Sequence, residues 1–219
     1  MADQHELPLA LALDWDGTVT EIDTLHMLNE RFGDPELFGA LEDDLGRRLT
    51  LDEVIARELA TVTAPLAEVV EYLRAEVRVR PGFRELVEEH DPLIVSAGFH
   101  ELIDPILERE GVAARVVANR LVPDSGGWQT VFRERQVCDV CGEPCKRSDV
   151  TGLGPYAYVG DGISDRCVSL AAERRFARRG LAVWLDEQGV PYEPFGDLHD
   201  VSSALARAPR RRAGDGRGG

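Results

Sequence analysis

The chain has 219 residues, 43% of them hydrophobic, and a formal net charge of −15. That length accommodates one α/β core with a modest insertion, and no apolar stretch reaches the ~20 residues a bilayer span requires. The balance of 25 Lys and Arg against 40 Asp and Glu opposes broad nucleic-acid binding, which needs a basic face, but not a small anionic substrate.

Met1–Glu6 lacks a basic region, so the apolar run Leu7–Leu13 is expected to be a buried parallel strand and not a secretory signal. Asp14-Trp15-Asp16-Gly17-Thr18 follows directly. Two carboxylates at the carboxyl end of such a strand sit where open α/β sheets place their ligand sites. Like charges that close are costly unless one is protonated or a cation lies between them. Gly17 permits a sharp turn, and the pair Gly17-Thr18 is expected to leave free amides and the Thr18 hydroxyl facing the same point, as phosphate-binding groups. An acidic turn in solvent reads the same locally. Three further motifs weigh against that.

Residues 23–76 read as helical throughout. Asp34-Pro35 opens one helix, and Thr50-Leu51-Asp52-Glu53 is a capping box before Val54, Ile55 and Leu59. Pro65 opens another, with Leu66, Val69, Val70 and Leu73 at helical spacing. The core resumes at the helix start Arg80-Pro81-Gly82-Phe83. Pro92-Leu93-Ile94-Val95 reads as a strand ending in Ser96-Ala97-Gly98, where a hydroxyl and freed amides can bind a phosphoryl oxygen. Residues 113–145 hold a hairpin, Val116-Val117-Ala118 and Trp128–Phe132 around Pro123–Gly127, and then a Cys-rich loop. Cys138, Cys141 and Cys145 have short spacings that zinc uses, although reduced thiols are equally compatible; Cys167 would have to join from a helix facing the core. Lys146 is the sole lysine of the chain, a compact ammonium suited to a crowded site between carboxylates and phosphate. The strand Tyr156–Val159 then runs into Gly160-Asp161. Asp161 can complete a magnesium ion's oxygen ligands, and Asp165, at a helix start, can orient Lys146 or a metal-bound water, or cap the helix. Phe176-Ala177 and Val190–Phe195 bracket a helix with Leu181, Val183, Trp184 and Leu185, all assigned to the core. The tail from Pro209 is expected to be disordered.

These motifs, in this order, resemble the haloacid-dehalogenase-like hydrolase superfamily, and the helical insertion resembles its phosphoserine-phosphatase-like branch. The resemblance spans roughly Leu7 to Ala208. It implies an α/β fold, a doubly wound parallel sheet formed by residues 1–22 and 77–208, with a small all-helical cap over 23–76 and the hairpin as an insertion. It implies Asp14 as the nucleophile that forms an aspartyl-phosphate, and Asp16 as general acid and then base. Ser96 and Lys146 would hold phosphoryl oxygens, while Asp14, Asp161 and the backbone carbonyl of Asp16 would bind Mg²⁺. A carboxyl at position 16 favours phosphate esters, since a halide leaving group needs no acid. Gly17 and Ala97 depart from the phosphoserine phosphatase pattern. With the Cys-rich segment, they look more like the group containing the diketo-methylthiopentenyl phosphate phosphatase of methionine salvage and the phosphoethanolamine/phosphocholine phosphatases. The expectation is therefore a cytoplasmic Mg²⁺-dependent phosphatase of a small phosphorylated metabolite, without nucleic-acid or membrane partners. A Zn²⁺ ion on the Cys cluster is a second cofactor to test. Phosphoserine phosphatase, phosphotransferase or phosphomutase, and a catalytically silent phospholigand binder stand as alternatives. Glu21, Asp23, His26 and Arg57 are cap residues able to face the site.

Overall fold

The computed structural model describes residues 9–207; Leu7 and Pro8 of the first apolar run, the tail from Pro209, and Ala208 lie outside them. Among the described residues the strands are β1 (Ala10–Leu13), β2 (Leu93–Phe99), β3 (Arg115–Val122), β4 (Gln129–Val131), β5 (Tyr156–Gly160), β6 (Arg174–Ala177) and β7 (Glu193–Pro194). They form one sheet ordered β4-β3-β2-β1-β5-β6-β7. Only the β3–β4 pair, the expected hairpin, is antiparallel.

β1 lies at the centre, and its two neighbours are distant in sequence: Leu13 pairs with Ile94 on one side and with Val159 on the other. The chain winds outward in both directions from this strand, so the carboxyl ends of β1, β2 and β5 open into one crevice. The second strand runs further than the sequence suggested, through Ser96 to Phe99, with a register shift after Val95. That irregularity turns Ser96–Gly98 toward the crevice.

Side chains alternate across the sheet as its period of two requires. Leu11, Leu13, Ile94, Ala157 and Val159 pack on one face with Phe83, Leu86, Ile103, Ile106 and Val201. These come from helices α5 (Phe83–His90), α6 (His100–Glu110) and α9 (Leu198–Leu205). Ala12, Leu93, Val95, Tyr156 and Tyr158 face the other way, against Val150 and Val168, the latter on α7 (Arg166–Ala171). Helix α8 (Arg179–Glu187) buries Leu181 and Leu185. Its Val183 is exposed, because helical spacing rotates it off the core face, while Trp184 is half-buried, packed against the Leu181 and Leu185 cluster under the Arg166 guanidinium.

Four helices fill the segment between the first two motifs: α1 (Thr24–Phe32), α2 (Pro35–Asp44), α3 (Leu51–Leu59) and α4 (Leu66–Glu76). Each begins as its sequence dictates. Asp34 accepts from the amides of Glu36 and Leu37, and Thr50 and Glu53 close the reciprocal capping box. The hairpin fastens this segment to the sheet. Trp128, buried, donates its indole N–H to Ala64 O at 3.0 Å, and its amide reaches Leu59 O and Val62 O at 3.1 Å. Gly127, at φ 125°, leaves no room for a side chain, since a Cβ there would lie 2.2 Å from Ala60 O. Trp128→Ala should cost about 3–5 kcal/mol of unfolding free energy in a urea titration. A loss below about 1 kcal/mol, the ordinary surface range, would show that the hairpin does not anchor the helices.

Candidate active site

After β1 the chain closes a tight loop. Trp15 O accepts from the amides of Thr18, Val19 and Thr20, and the Thr20 hydroxyl accepts from Gly17 N at 3.1 Å. The expected free amides of Gly17 and Thr18 are thus used inside the loop. Gly17 itself is required: its φ is 71°, and a Cβ would lie 2.2 Å from Asp161 Oδ2. The whole loop hangs on Arg80, a buried guanidinium that donates to the carbonyls of Thr18 (2.8 Å), Gly17 (3.0 Å), Thr20 (3.1 Å) and Gly196 (3.2 Å). Sequence reading took Arg80 only as part of a helix start. Its partners are carbonyls, and carbonyls leave no signal in a sequence.

The structure brings Asp14, Asp16, Lys146, Asp161 and Asp165 into one crevice. Asp14 is buried, and its Oδ1 takes Lys146 Nζ at 2.5 Å and the Trp15 amide at 2.7 Å. Lys146 Nζ also reaches Asp165 Oδ1 at 2.8 Å. That oxygen further accepts from Tyr158 Oη at 2.6 Å, and Asp165 Oδ2 accepts from the amides of Asp161 (2.9 Å) and Gly162 (3.0 Å). Asp165 therefore combines two of the roles the sequence leaves open, holding the lysine and ordering the turn after β5. Tyr158 completes its shell and was read only as a strand residue.

Charge in this crevice is lopsided. Burial works against the Lys146 ammonium, but Asp14 and Asp165 more than offset it and keep the lysine protonated. Burial also raises the Asp165 carboxyl, yet Lys146 and the Tyr158 hydroxyl hold it below the usual range. Asp14 moves the other way: burial, then the Asp165 charge, push it well up against the pull of Lys146. One ammonium cannot serve both carboxylates. Asp161 is pushed up to about 6 by burial and by Asp165. Carboxylate oxygens of Asp14, Asp161 and Asp165 lie within 4.8 Å of one another, a donor set that fits a hard divalent cation.

This imbalance has a measurable sign. A carboxyl with a folded pKa near 6 against an ordinary 3.8 contributes its full stability below pH 4 and loses it as pH rises through 6. In chelator at pH 8, Asp161→Asn should therefore be more stable than the parent by about 2 kcal/mol, with the difference vanishing near pH 4. Added Mg²⁺ should reverse the order at pH 8, read by urea melts. A variant that stays less stable in chelator would contradict the charge excess.

Asp16 is pushed up to about 7, first by burial and then by the Asp23 charge, against the Thr24 hydroxyl and amide. Both Thr24 groups bond its Oδ1, at 2.5 and 2.9 Å. A Cβ on Gly98 would lie 3.1 Å from Oδ2, so the glycine keeps that oxygen accessible. Ser96 is buried beside it, with its Oγ accepting from Gly98 N at 2.8 Å. Thr18 turns its hydroxyl to Asp161 Oδ1 at 3.4 Å and is absent from the cleft wall.

A cleft of about 390 Å³ opens over Asp14, Asp16, Asp161, Ala97 and Gly98. The four-helix segment contributes the apolar side chains Leu25, Phe38, Leu45, Leu51, Val54 and Ile55 to its walls. Asp23 and His26 line it, with Asp23 also capping α1 and His26 edge-on to Phe38. Glu21 is not on the cleft wall, its carbonyl accepting from Arg179 and its amide donating to Arg78 O, and Arg57 is exposed away from the cleft. Arg179, at φ 46° and 3.7 Å from Asp161 Oδ2, and Glu58, held by Asn29 Nδ2 at 3.2 Å, also line it. Neither lies in a recognisable motif. A second hollow of about 550 Å³ continues past Ala97 and Lys146 to Cys141, Cys145 and Cys167.

Known proteins resemble this chain in sequence and in fold. The 2-hydroxy-3-keto-5-methylthiopentenyl-1-phosphate phosphatase of Geobacillus kaustophilus (strain HTA426) is 32% identical over 214 residues, covering 91% of this chain and 96% of that one. The enzyme of the same name from Geobacillus thermodenitrificans (strain NG80-2) is 31% identical over the same shares. Phosphoserine phosphatase from T. onnurineus superposes with a TM-score of 0.65 over 93% of this chain and 97% of its own. A phospho-aspartyl intermediate analogue of phosphoserine phosphatase also gives 0.65, over 90% and 98%. At 18% and 17% identity these two establish the fold alone. The haloacid dehalogenase-like hydrolase family matches residues 11–169, and with the sheet order and the relatives above, the chain belongs to that family.

Proposed function

We propose that this protein is a magnesium-dependent phosphomonoesterase that hydrolyses a small phosphorylated metabolite through an aspartyl-phosphate on Asp14. The observation that carries it is the pairing of two unlike carboxyls. Asp14 meets the Lys146 ammonium through Oδ1 and is the carboxyl that this ammonium and a bound cation would hold ionised, whereas Asp16, two residues on, retains a proton near neutral pH. Asp14 Oδ1 is occupied by Lys146 and the Trp15 amide, so Oδ2 is assigned to attack phosphorus. As the P–O bond to the alcohol breaks, the Asp16 proton passes to the leaving oxygen. The Asp16 carboxylate then takes a proton from the water that displaces phosphate from Asp14. Lys146 and the Ser96 hydroxyl bind phosphoryl oxygens, with Ala97 on the wall beside them, and Thr18 steadies Asp161. Asp14, Asp161 and the backbone carbonyl of Asp16 would hold Mg²⁺, which supplies positive charge to the phosphoryl group.

The four-helix segment, residues 23–76, acts as the cap that excludes water and selects the leaving group. Its Leu25, Phe38, Leu51, Val54 and Ile55 suit the apolar part of a leaving alcohol, with Asp23, His26 and Glu58 beside them for polar groups. The names of the relatives make 2-hydroxy-3-keto-5-methylthiopentenyl-1-phosphate the first compound to assay. Four free cysteines suit a reducing compartment, and we assign the enzyme to the cytoplasm. Hydrolysis of p-nitrophenyl phosphate with and without Mg²⁺, followed by a panel of phosphorylated metabolites, tests the reading. Phosphate binding without turnover would make the protein a silent binder, and a preference for phosphoserine would move it to the other branch.

A further inference from the structure

Four thiols meet beside the lysine. Cys138, Cys141 and Cys145 lie on the loop that delivers Lys146, and Cys167 comes from the first turn of α7; their Sγ atoms all lie within 4.8 Å of one another. Cys167 thus turns toward the loop and not into the core, which supplies the fourth ligand that sequence spacing lacked. Its Sγ is 3.7 Å from that of Cys138. A zinc ion with Zn–S bonds of about 2.3 Å sets tetrahedral sulfurs about 3.8 Å apart, whereas a disulfide closes to about 2.05 Å. The loop folds tightly about Cys138: Gly142, at φ 76°, donates its amide to Cys138 O at 2.8 Å, and the Cys138 amide donates to Glu143 O at 3.1 Å. Arg147 Nη1, 3.9 Å from Cys167 Sγ, offsets part of the double negative charge of a tetrathiolate zinc.

We propose that Cys138, Cys141, Cys145 and Cys167 bind one structural Zn²⁺ that pins Cys145, and with it Lys146, to α7. Binding exchanges four S–H protons for four Zn–S bonds, with the protons released to solvent and no change of oxidation state. The same two segments are joined a second time by the Lys146–Asp165 ion pair. The metal and the ion pair therefore brace one lysine from both sides of the peptide.

The metal site stands apart from the phosphatase reading, because zinc content is measured without substrate; only the effect on Lys146 rests on that reading. The purified full chain, grown with zinc, is expected to contain one zinc per chain by elemental analysis. Cobalt(II) exchanged into it should show the absorption of a tetrahedral tetrathiolate. Cys141→Ser, at the exposed corner, should lose the zinc. Should that variant fail to fold, wild-type stoichiometry and the cobalt spectrum decide. Protein stripped of zinc but kept in Mg²⁺ should bind inorganic phosphate about tenfold more weakly, with its far-UV spectrum retained. Wild-type protein without zinc, or with a Cys138–Cys167 disulfide by mass spectrometry, overturns the site. Unchanged phosphate affinity in the stripped protein overturns the link to Lys146.

Discussion

Asp14→Asn is expected to lower turnover of every phosphomonoester at least about 10⁴-fold, the scale of losing a covalent nucleophile, while the protein stays folded. The amide has the shape of the carboxyl but offers phosphorus no anionic oxygen. It also leaves the local packing intact, since burial and the Asp165 charge already disfavour ionised Asp14. Lys146 keeps Asp165 as its partner at 2.8 Å. The stability change should therefore remain within about 2 kcal/mol, the range of one charged hydrogen bond. Single-turnover kinetics and a urea titration on the same preparation check both halves. Undiminished hydrolysis would place the nucleophile elsewhere and remove the mechanism.

Lys146→Met carries the second large effect, and here stability falls together with activity. The ammonium is shared by two buried carboxylates, and methionine fills the space without the charge. Removing one partner of a buried ion pair typically costs about 3–5 kcal/mol, because the charge left behind has neither water nor a counterion. Asp14 and Asp165 can escape that cost only by binding protons. Without the ammonium the Asp14 carboxyl lies further above its unfolded pKa and the Asp165 carboxyl, held low in the parent, rises, so the variant should approach the parent at pH 5 and fall progressively behind as pH rises to 8. Lys146→Arg should not rescue it, since the planar guanidinium needs more room than this enclosed position offers. Equal stability of Lys146→Met and parent at both pH values would show that the ammonium does not neutralise the crevice.

Much of this site could be read from the chain because its chemistry is local. Asp14 and Asp16, and Gly160-Asp161 with Asp165, each follow an apolar run whose strand ends the sheet gathers, and Lys146 stands out as the sole lysine of the chain. The capping box at Thr50 and the helix start at Pro35 were equally legible, as each involves groups within one turn of each other. What escaped depends on contacts across the chain. Arg80 reaches carbonyls more than sixty residues away, Trp128 grips the end of α3, and Cys167 meets its loop only because α7 turns it there. The Gly17 and Thr18 amides were misjudged for a nearer reason: the Thr20 hydroxyl and the Trp15 carbonyl compete for them inside the same loop.

The clamp between Trp128 and the end of α3 bolts the roof at its rear, where a side chain on Gly127 would meet Ala60 O. At the opposite rim Leu45, Gly46 and Leu49 border the larger hollow, and Gly46 faces Ile163. Under the proposed function, substrate and product are therefore expected to pass on that sulfur-bearing flank, beside the loop that holds the lysine.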